Sequence, residues 1–169
     1  MGLILSVPST AKAQTSDSLM VAHLQKVGVT FSNDNQVTLL MNGQEKFDDL
    51  FKAIDQARKS IHMEYFNFRN DSINRLLISH LAPKVKEGVE VRLLFDGFGN
   101  LSNNQPMRRS DLDSIRAKGI EIYEFNPVRF PFINDIWSRD HRKIVVIDGL
   151  VAYTGGMNVA DYYINGTPQ

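Results

Sequence analysis

The chain has 169 residues, 43% hydrophobic and 22% charged, so a sizeable core can form and bulk disorder is excluded. Its 19 Lys plus Arg balance 19 Asp plus Glu, a net charge of zero that weighs against a dedicated nucleic-acid binder. With no cysteine, disulfides and Cys-based zinc sites are excluded, and no run approaches the roughly 20 apolar residues of a spanning helix.

Residues 1–35 read as a leader or irregular tail, and 36–169 as one catalytic domain. Met1–Ala13 carries a short apolar stretch before Ala11-Lys12-Ala13, in the manner of a clipped export signal, but it lacks a positive start and is interrupted by Pro8. A disordered tail is the other reading. Val37–Met41 then reads as a strand ended by Asn42-Gly43. Phe47, Leu50, Phe51, Ile54 and Ala57 recur at helical spacing, predicting a helix over 44–59. A strand follows over 60–68, then a helix marked by Ile73, Leu76, Leu77, His80 and Leu81 and disturbed at Pro83. Val89–Phe95 is a third strand, and 96–106, rich in Gly, Asn and Ser, reads as a loop. A short helix over 109–118 is closed by Gly119, and Ile120–Phe125 is a fourth strand. This alternation predicts an α/β domain with a largely parallel sheet flanked by helices, whose site gathers at the carboxyl ends of strands.

The chemistry concentrates in Arg139–Asn158, RDHRKIVVIDGLVAYTGGMN. Asp148-Gly149 between two β-rich runs is a two-residue hairpin turn. A strict two-residue turn pairs Ile147 with Leu150, Val145 with Ala152, Lys143 with Thr154 and His141 with Gly156. Directly opposite residues share a face, as do residues two apart, so His141, Lys143, Thr154 and Asn158 stand together. Gly155 and Gly156 leave space for a ligand near the backbone. This set suits a phosphodiester. Lys143 is a point cation for a phosphoryl oxygen, Asn158 and Thr154 are donors, and His141 can attack phosphorus as a neutral imidazole. Asp148 lies about 23 Å from His141 along an extended strand and has the opposite parity, so it sets the turn.

His141-x-Lys143-x-x-x-x-Asp148 followed by Gly155-Gly156-x-Asn158 resembles the signature of the phospholipase D superfamily. The blocks Ile61–Phe66, Val91–Gly97 and Arg139–Lys143 resemble those of bacterial cardiolipin synthases, and the likeness covers about 37–163. The resemblance implies a phospholipase D-type mixed sheet, with the hairpin carrying a catalytic signature of His141, Lys143 and Asp148. It implies a phosphohistidine at His141, a phosphatidylglycerol donor and acceptor, a bacterial membrane surface as workplace, and neither metal nor cofactor. Glu64, which lies near the site in the family pattern, and Gly156 are supporting positions, and Glu64 reads equally as an exposed strand position. The family ordinarily opposes two such motifs across one site. His23, His62 and His80 begin no second one, so a carboxyl-terminal half or a second copy of the chain is expected as partner. Two rivals stand beside the transferase: a hydrolase or nuclease using water on the same fold, and an inactive module that binds phosphodiesters or lipid headgroups. No nucleic-acid partner is expected. Asp96 reads as a turn former at the site rim. Phe130–Trp137 reads either as a segment dipping into a membrane interface or as a loop packed on the sheet.

Overall fold

A computed structural model of the protein describes residues 10–31, 34–129, 131 and 137–165. The chain divides into two units, Met1–Leu39 and Leu40–Gln169. In the first, Thr10–Lys26 forms helix α1, where the sequence reading expected an irregular tail or leader. His23 and Lys26 lie in its last turn, where cations meet the negative end of the helix dipole. Residues 1–9 of the signal-like stretch lie outside the described residues.

Val37–Met41, expected as a strand, is not one. Val37, Leu39 and Met41 are exposed, and among the described residues no strand pairs with them, so their β propensity goes unused. Asn42 caps α2 (Gly43–Gln56), its side chain accepting from the Glu45 N–H at 2.9 Å. The expected apolar stripe of Phe47, Leu50, Phe51 and Ile54 is buried. The following elements are β1 (Ser60–Tyr65), α3 (Ser72–Lys86), β2 (Glu90–Asp96), α4 (Gly97–Leu101) and α5 (Arg109–Arg116). Then come β3 (Glu121–Phe125), β4 (Lys143–Ile147), β5 (Val151–Thr154) and α6 (Tyr162–Asn165). Helix α3 runs through Pro83 and ends three residues beyond it. The expected loop after β2 begins with α4, because the Asp96 carboxylate caps the Phe98 and Gly99 N–H groups.

The five strands form one mixed sheet in the order β3-β2-β1-β4-β5. The β1–β2 and β2–β3 pairs are parallel, and β1–β4 and β4–β5 are antiparallel. Alternate side chains, Ile61, Met63, Tyr65, Val91, Leu93, Phe95, Ile122, Val145 and Ile147, are buried in the core with α2, α3 and α5. The intervening His62, Arg92 and Tyr123 stay exposed on the other face.

The Asp148-Gly149 turn forms as expected. Both residues have positive φ, 56° and 71°, and the Leu150 N–H donates to the Ile147 carbonyl at 3.0 Å. The register differs by one residue. Ile147 pairs with Val151 and Ile144 with Thr154, and Leu150 is left exposed as an extra residue, a bulge. The hairpin is also tied to β1. The Asp148 N–H donates to the Ser60 carbonyl at 2.9 Å. Its carboxylate accepts from the Arg58, Lys59 and Ser60 N–H groups at 2.9, 2.7 and 2.9 Å. A one-residue slip turns every β5 side chain to the opposite face. Thr154 therefore shares a face with Ile144 and Glu64 instead of with Lys143.

The Ser60, Lys59 and Arg58 N–H groups hold the Asp148 carboxyl below the usual carboxylate range. Its contribution to stability is therefore fully present above the unfolded value of about 3.9 and is lost as pH falls through the lower folded value. Asp148→Asn is expected to lower the urea midpoint at neutral pH, and the gap from wild type should shrink in strong acid. Equal midpoints at neutral pH would contradict the role of this carboxylate.

Candidate active site

The site forms where the carboxyl ends of β1 and β2 meet the amino end of the antiparallel β4. Tyr65 pairs with Lys143, so Lys143 enters β4 on the core-facing side with only 8% of its surface exposed. His141, two residues earlier, is exposed. Its ring meets the Phe66 ring edge-on, with centroids 4.7 Å apart. The Lys143 Nζ lies 5.3 Å from the same ring and donates to the His141 carbonyl at 2.7 Å. Phe66 thus carries both the candidate nucleophile and the candidate cation. Burial pulls the Lys143 ammonium below its ordinary value, while Tyr163 and Asp140 pull it back up.

Asn158 sits on the next residue of the β1 exit. Its Oδ1 accepts from the Asn67 N–H at 3.2 Å, which fixes the amide. Nδ2 donates to the Tyr163 hydroxyl at 3.3 Å. The segment is further fixed by the Val159 N–H to the Asn67 carbonyl at 3.3 Å and by the Phe68–Val159 bridge. His141, Lys143 and Asn158 are therefore gathered around Phe66-Asn67, with the Tyr163 hydroxyl bonded to the Asn158 amide.

The approach of residues 139–141 is set by Asp96, which is fully buried at the end of β2. Besides capping α4, its Oδ2 accepts from the Asp140 N–H at 2.8 Å, and its Oδ1 from the Arg139 guanidinium at 3.2 Å. Gly99 in α4 must lack a side chain, since a Cβ there would strike the Phe66 carbonyl. Asp96 thus does more than form the turn that the sequence suggested.

Other expected site residues are not brought together. Asp148 lies at the far end of β4, bound to the start of β1. Thr154 faces the other side of the sheet because of the register shift. Gly156 is exposed with open space around it, but the shifted register removes it from the position opposite His141. Glu64 faces away with Ile144 and pairs with Arg142 at 3.3 Å. Its carboxyl is pushed up by a hydrogen bond with Asp140 and then by burial, and down by Arg142. Burial raises Asp140, but the bonds from Glu64 and Arg142 outweigh it and leave its pKa low. Asp140 Oδ2 is buried and has no hydrogen-bond partner among the described residues. The sequence reading missed Phe66, Asn67 and Tyr163. Only Phe66 left a signal, as the last residue of Ile61–Phe66.

A family model described as "Cardiolipin synthase, PLD-like domain" matches residues 50–165. The chain is 40% identical over 134 residues to cardiolipin synthase 2 of Staphylococcus epidermidis, covering 79% of this chain and 27% of that protein. It is 35% identical over 152 residues to a probable cardiolipin synthase of Bacillus subtilis, covering 89% and 29%. It therefore spans between a quarter and a third of the length of these curated relatives. Among solved structures it is similar to Nuc of Salmonella typhimurium, a phospholipase D family member (TM-score 0.50, 22% identity, 69% of this chain and 66% of that one). NucT from Helicobacter pylori is similar as well (TM-score 0.51, 16% identity, 71% and 70%). These two likenesses bear on the fold.

Asp96→Ala removes the acceptor for four donors, one of them charged. It is expected to cost about 3–5 kcal/mol, the range for breaking a buried ion pair from one side. Urea unfolding measures this, and a loss below about 1 kcal/mol, the level of an exposed pair, would contradict the assigned hold on residues 139–140.

Proposed function

Because the chain belongs to the PLD-like domain family of cardiolipin synthases, we propose that it supplies one motif of a phosphatidyltransferase that joins two phosphatidylglycerol molecules. The observation that carries the reading is the gathering of exposed His141, buried Lys143 and fixed Asn158 around Phe66-Asn67. In the first step the neutral His141 imidazole attacks the donor phosphorus. The phosphorus–oxygen bond to glycerol breaks, and glycerol leaves with a proton supplied by the complementing motif. In the second step the hydroxyl of another phosphatidylglycerol gives up its proton and attacks the phosphohistidine, which frees His141 and forms cardiolipin. Lys143 and the Asn158 amide stabilise the charge on the phosphoryl oxygens at both transition states. The Lys143 Nζ is desolvated and, among the described residues, hydrogen-bonds to a neutral carbonyl at 2.7 Å and to no carboxylate, so an arriving anion meets a cation not already neutralised by a bonded acid.

The complementing motif comes from a second copy of the chain or from a separate half. The substrate requires work at a membrane surface. Among the described residues no helix is long and apolar enough to cross a membrane. Trp137 is 90% exposed four residues before His141, where an indole suits a headgroup layer. The rest of the apolar stretch 130–137, apart from Pro131, lies outside the described residues.

Light scattering combined with phosphatidylglycerol vesicles tests the proposal. Cardiolipin and glycerol should appear in equal amounts, and only in preparations that hold two motifs, such as a dimer. His141→Ala should lower turnover at least about 10³-fold. Phosphatidic acid in place of cardiolipin would make the enzyme a hydrolase. Turnover by a monomer would contradict the need for a second motif.

A further inference from the structure

Lys46 lies in the first turn of α2, far in sequence from the motif, yet its Nζ reaches the motif's loop. It donates to the Met157 carbonyl at 3.1 Å and approaches the Asn158 carbonyl at 3.4 Å. It also stands over two ring faces, 4.4 Å from the Phe47 centroid and 5.0 Å from that of Tyr65, the residue paired with Lys143. Among the described residues no carboxylate forms an ion pair with it. Two glycines precede this loop and have open space around them, so the loop gains little hold from its own side chains at 155–156.

A desolvated ammonium without an acidic partner is a poor choice for stability alone. An apolar side chain of the same length would fill the space beside Phe47 and Tyr65. What the ammonium adds is a charged donor aimed at the backbone that carries Asn158. We infer that Lys46 is a positioning residue of the phosphate site, holding the Met157–Asn158 backbone so that the Asn158 amide keeps its place against the Asn67 N–H and the Tyr163 hydroxyl. The inference rests on the phosphodiester chemistry proposed above. Lys46 itself need not touch the substrate, because it acts through the two carbonyls.

Burial lowers the Lys46 pKa to about 8 from its ordinary 10.5, so the charged hold is largely present at neutral pH and weakens in mild alkali. Ionisable groups on the elements packed around it are Tyr65 on β1, Lys143 on β4, Tyr163 on α6, and Tyr153 on β5 with its partner Asp49 on α2 at 2.6 Å. Burial raises both Tyr65 and Tyr153 above the ordinary tyrosine range, and they stay neutral where Lys46 titrates. Substitution by Arg, which keeps its proton throughout, separates Lys46 from Lys143.

The test follows the Asn158 side-chain amide and the Lys46 methylene beside Nζ by NMR from about pH 6 to 10. The affinity for inorganic phosphate is measured on the same samples. In the wild type, the Asn158 amide should move with the midpoint of Lys46 itself. In Lys46→Arg that titration should vanish while phosphate affinity is kept. In Lys46→Met the phosphate dissociation constant should rise about tenfold, the loss of one charged hydrogen bond's worth of positioning. The folded pKa of Lys46 lies below the unfolded one, so its charge costs stability at neutral pH, and that cost fades as pH rises from about 8 to 10.5. Lys46→Met should therefore unfold no earlier than wild type, which separates weak binding from misfolding. An Asn158 amide that ignores the Lys46 titration would overturn the inference, as would a Met variant that binds phosphate like the wild type. If no protein binds phosphate but Asn158 still follows Lys46, the phosphodiester reading fails and the hold on the loop stands.

Discussion

One buried carboxylate joins the parallel part of the sheet to the segment that leads into its antiparallel part. Asp96 ends β2 in the parallel half of the sheet, and both of its oxygens are filled. Two N–H groups come from the helix that begins there, and the Arg139 and Asp140 donors come from the segment that leads into β4. A fully buried carboxylate left with empty lone pairs would be costly, so these four bonds act as a set. His141 follows immediately. Its ring is exposed and leans on Phe66, so its position is inherited from the backbone on either side. On one side that backbone is held by Asp96, and on the other by the pairing of Lys143 with Tyr65.

The cations follow a common pattern. Lys143 and Lys46 are both drawn out of water, both donate to carbonyls, and neither carboxylate-bearing neighbour of the motif, Glu64 or Asp140, bonds to them. Those two acids instead engage Arg142. His141 and Lys143 meet the Phe66 ring, whereas Asp140 and Arg142 engage Glu64. Asp140 acts on the Lys143 ammonium through space but does not bond to it.

The spacing of the motif made His141, Lys143 and Asn158 legible, because period-two alternation and a hairpin turn need only local sequence. The same reasoning assigned Asp148 to the turn and away from the chemistry, and the three N–H groups of residues 58–60 now account for that carboxylate. Thr154 was misplaced because the bulge at Leu150 goes with a hydrogen bond between Asp148 and Ser60, which no local pattern records. Val37–Met41 has strand-like side chains, but among the described residues no strand pairs with it. Helix α4 was hidden in Gly, Asn and Ser because its cap comes from Asp96. Phe66, Asn67 and Lys46 were missed for a further reason. Each acts on a partner more than 70 residues away, and only the folded chain brings them together.

The central claim is that His141 is a nucleophile placed beside a phosphate site. The most direct test uses a phosphatidyl ester of p-nitrophenol, whose leaving group departs without a proton and so does not require the complementing motif. The account predicts a burst of one nitrophenolate per chain and a phosphatidyl adduct on the peptide that holds His141, seen by mass spectrometry after an alkaline quench. No burst, or an adduct on any other residue, would contradict it.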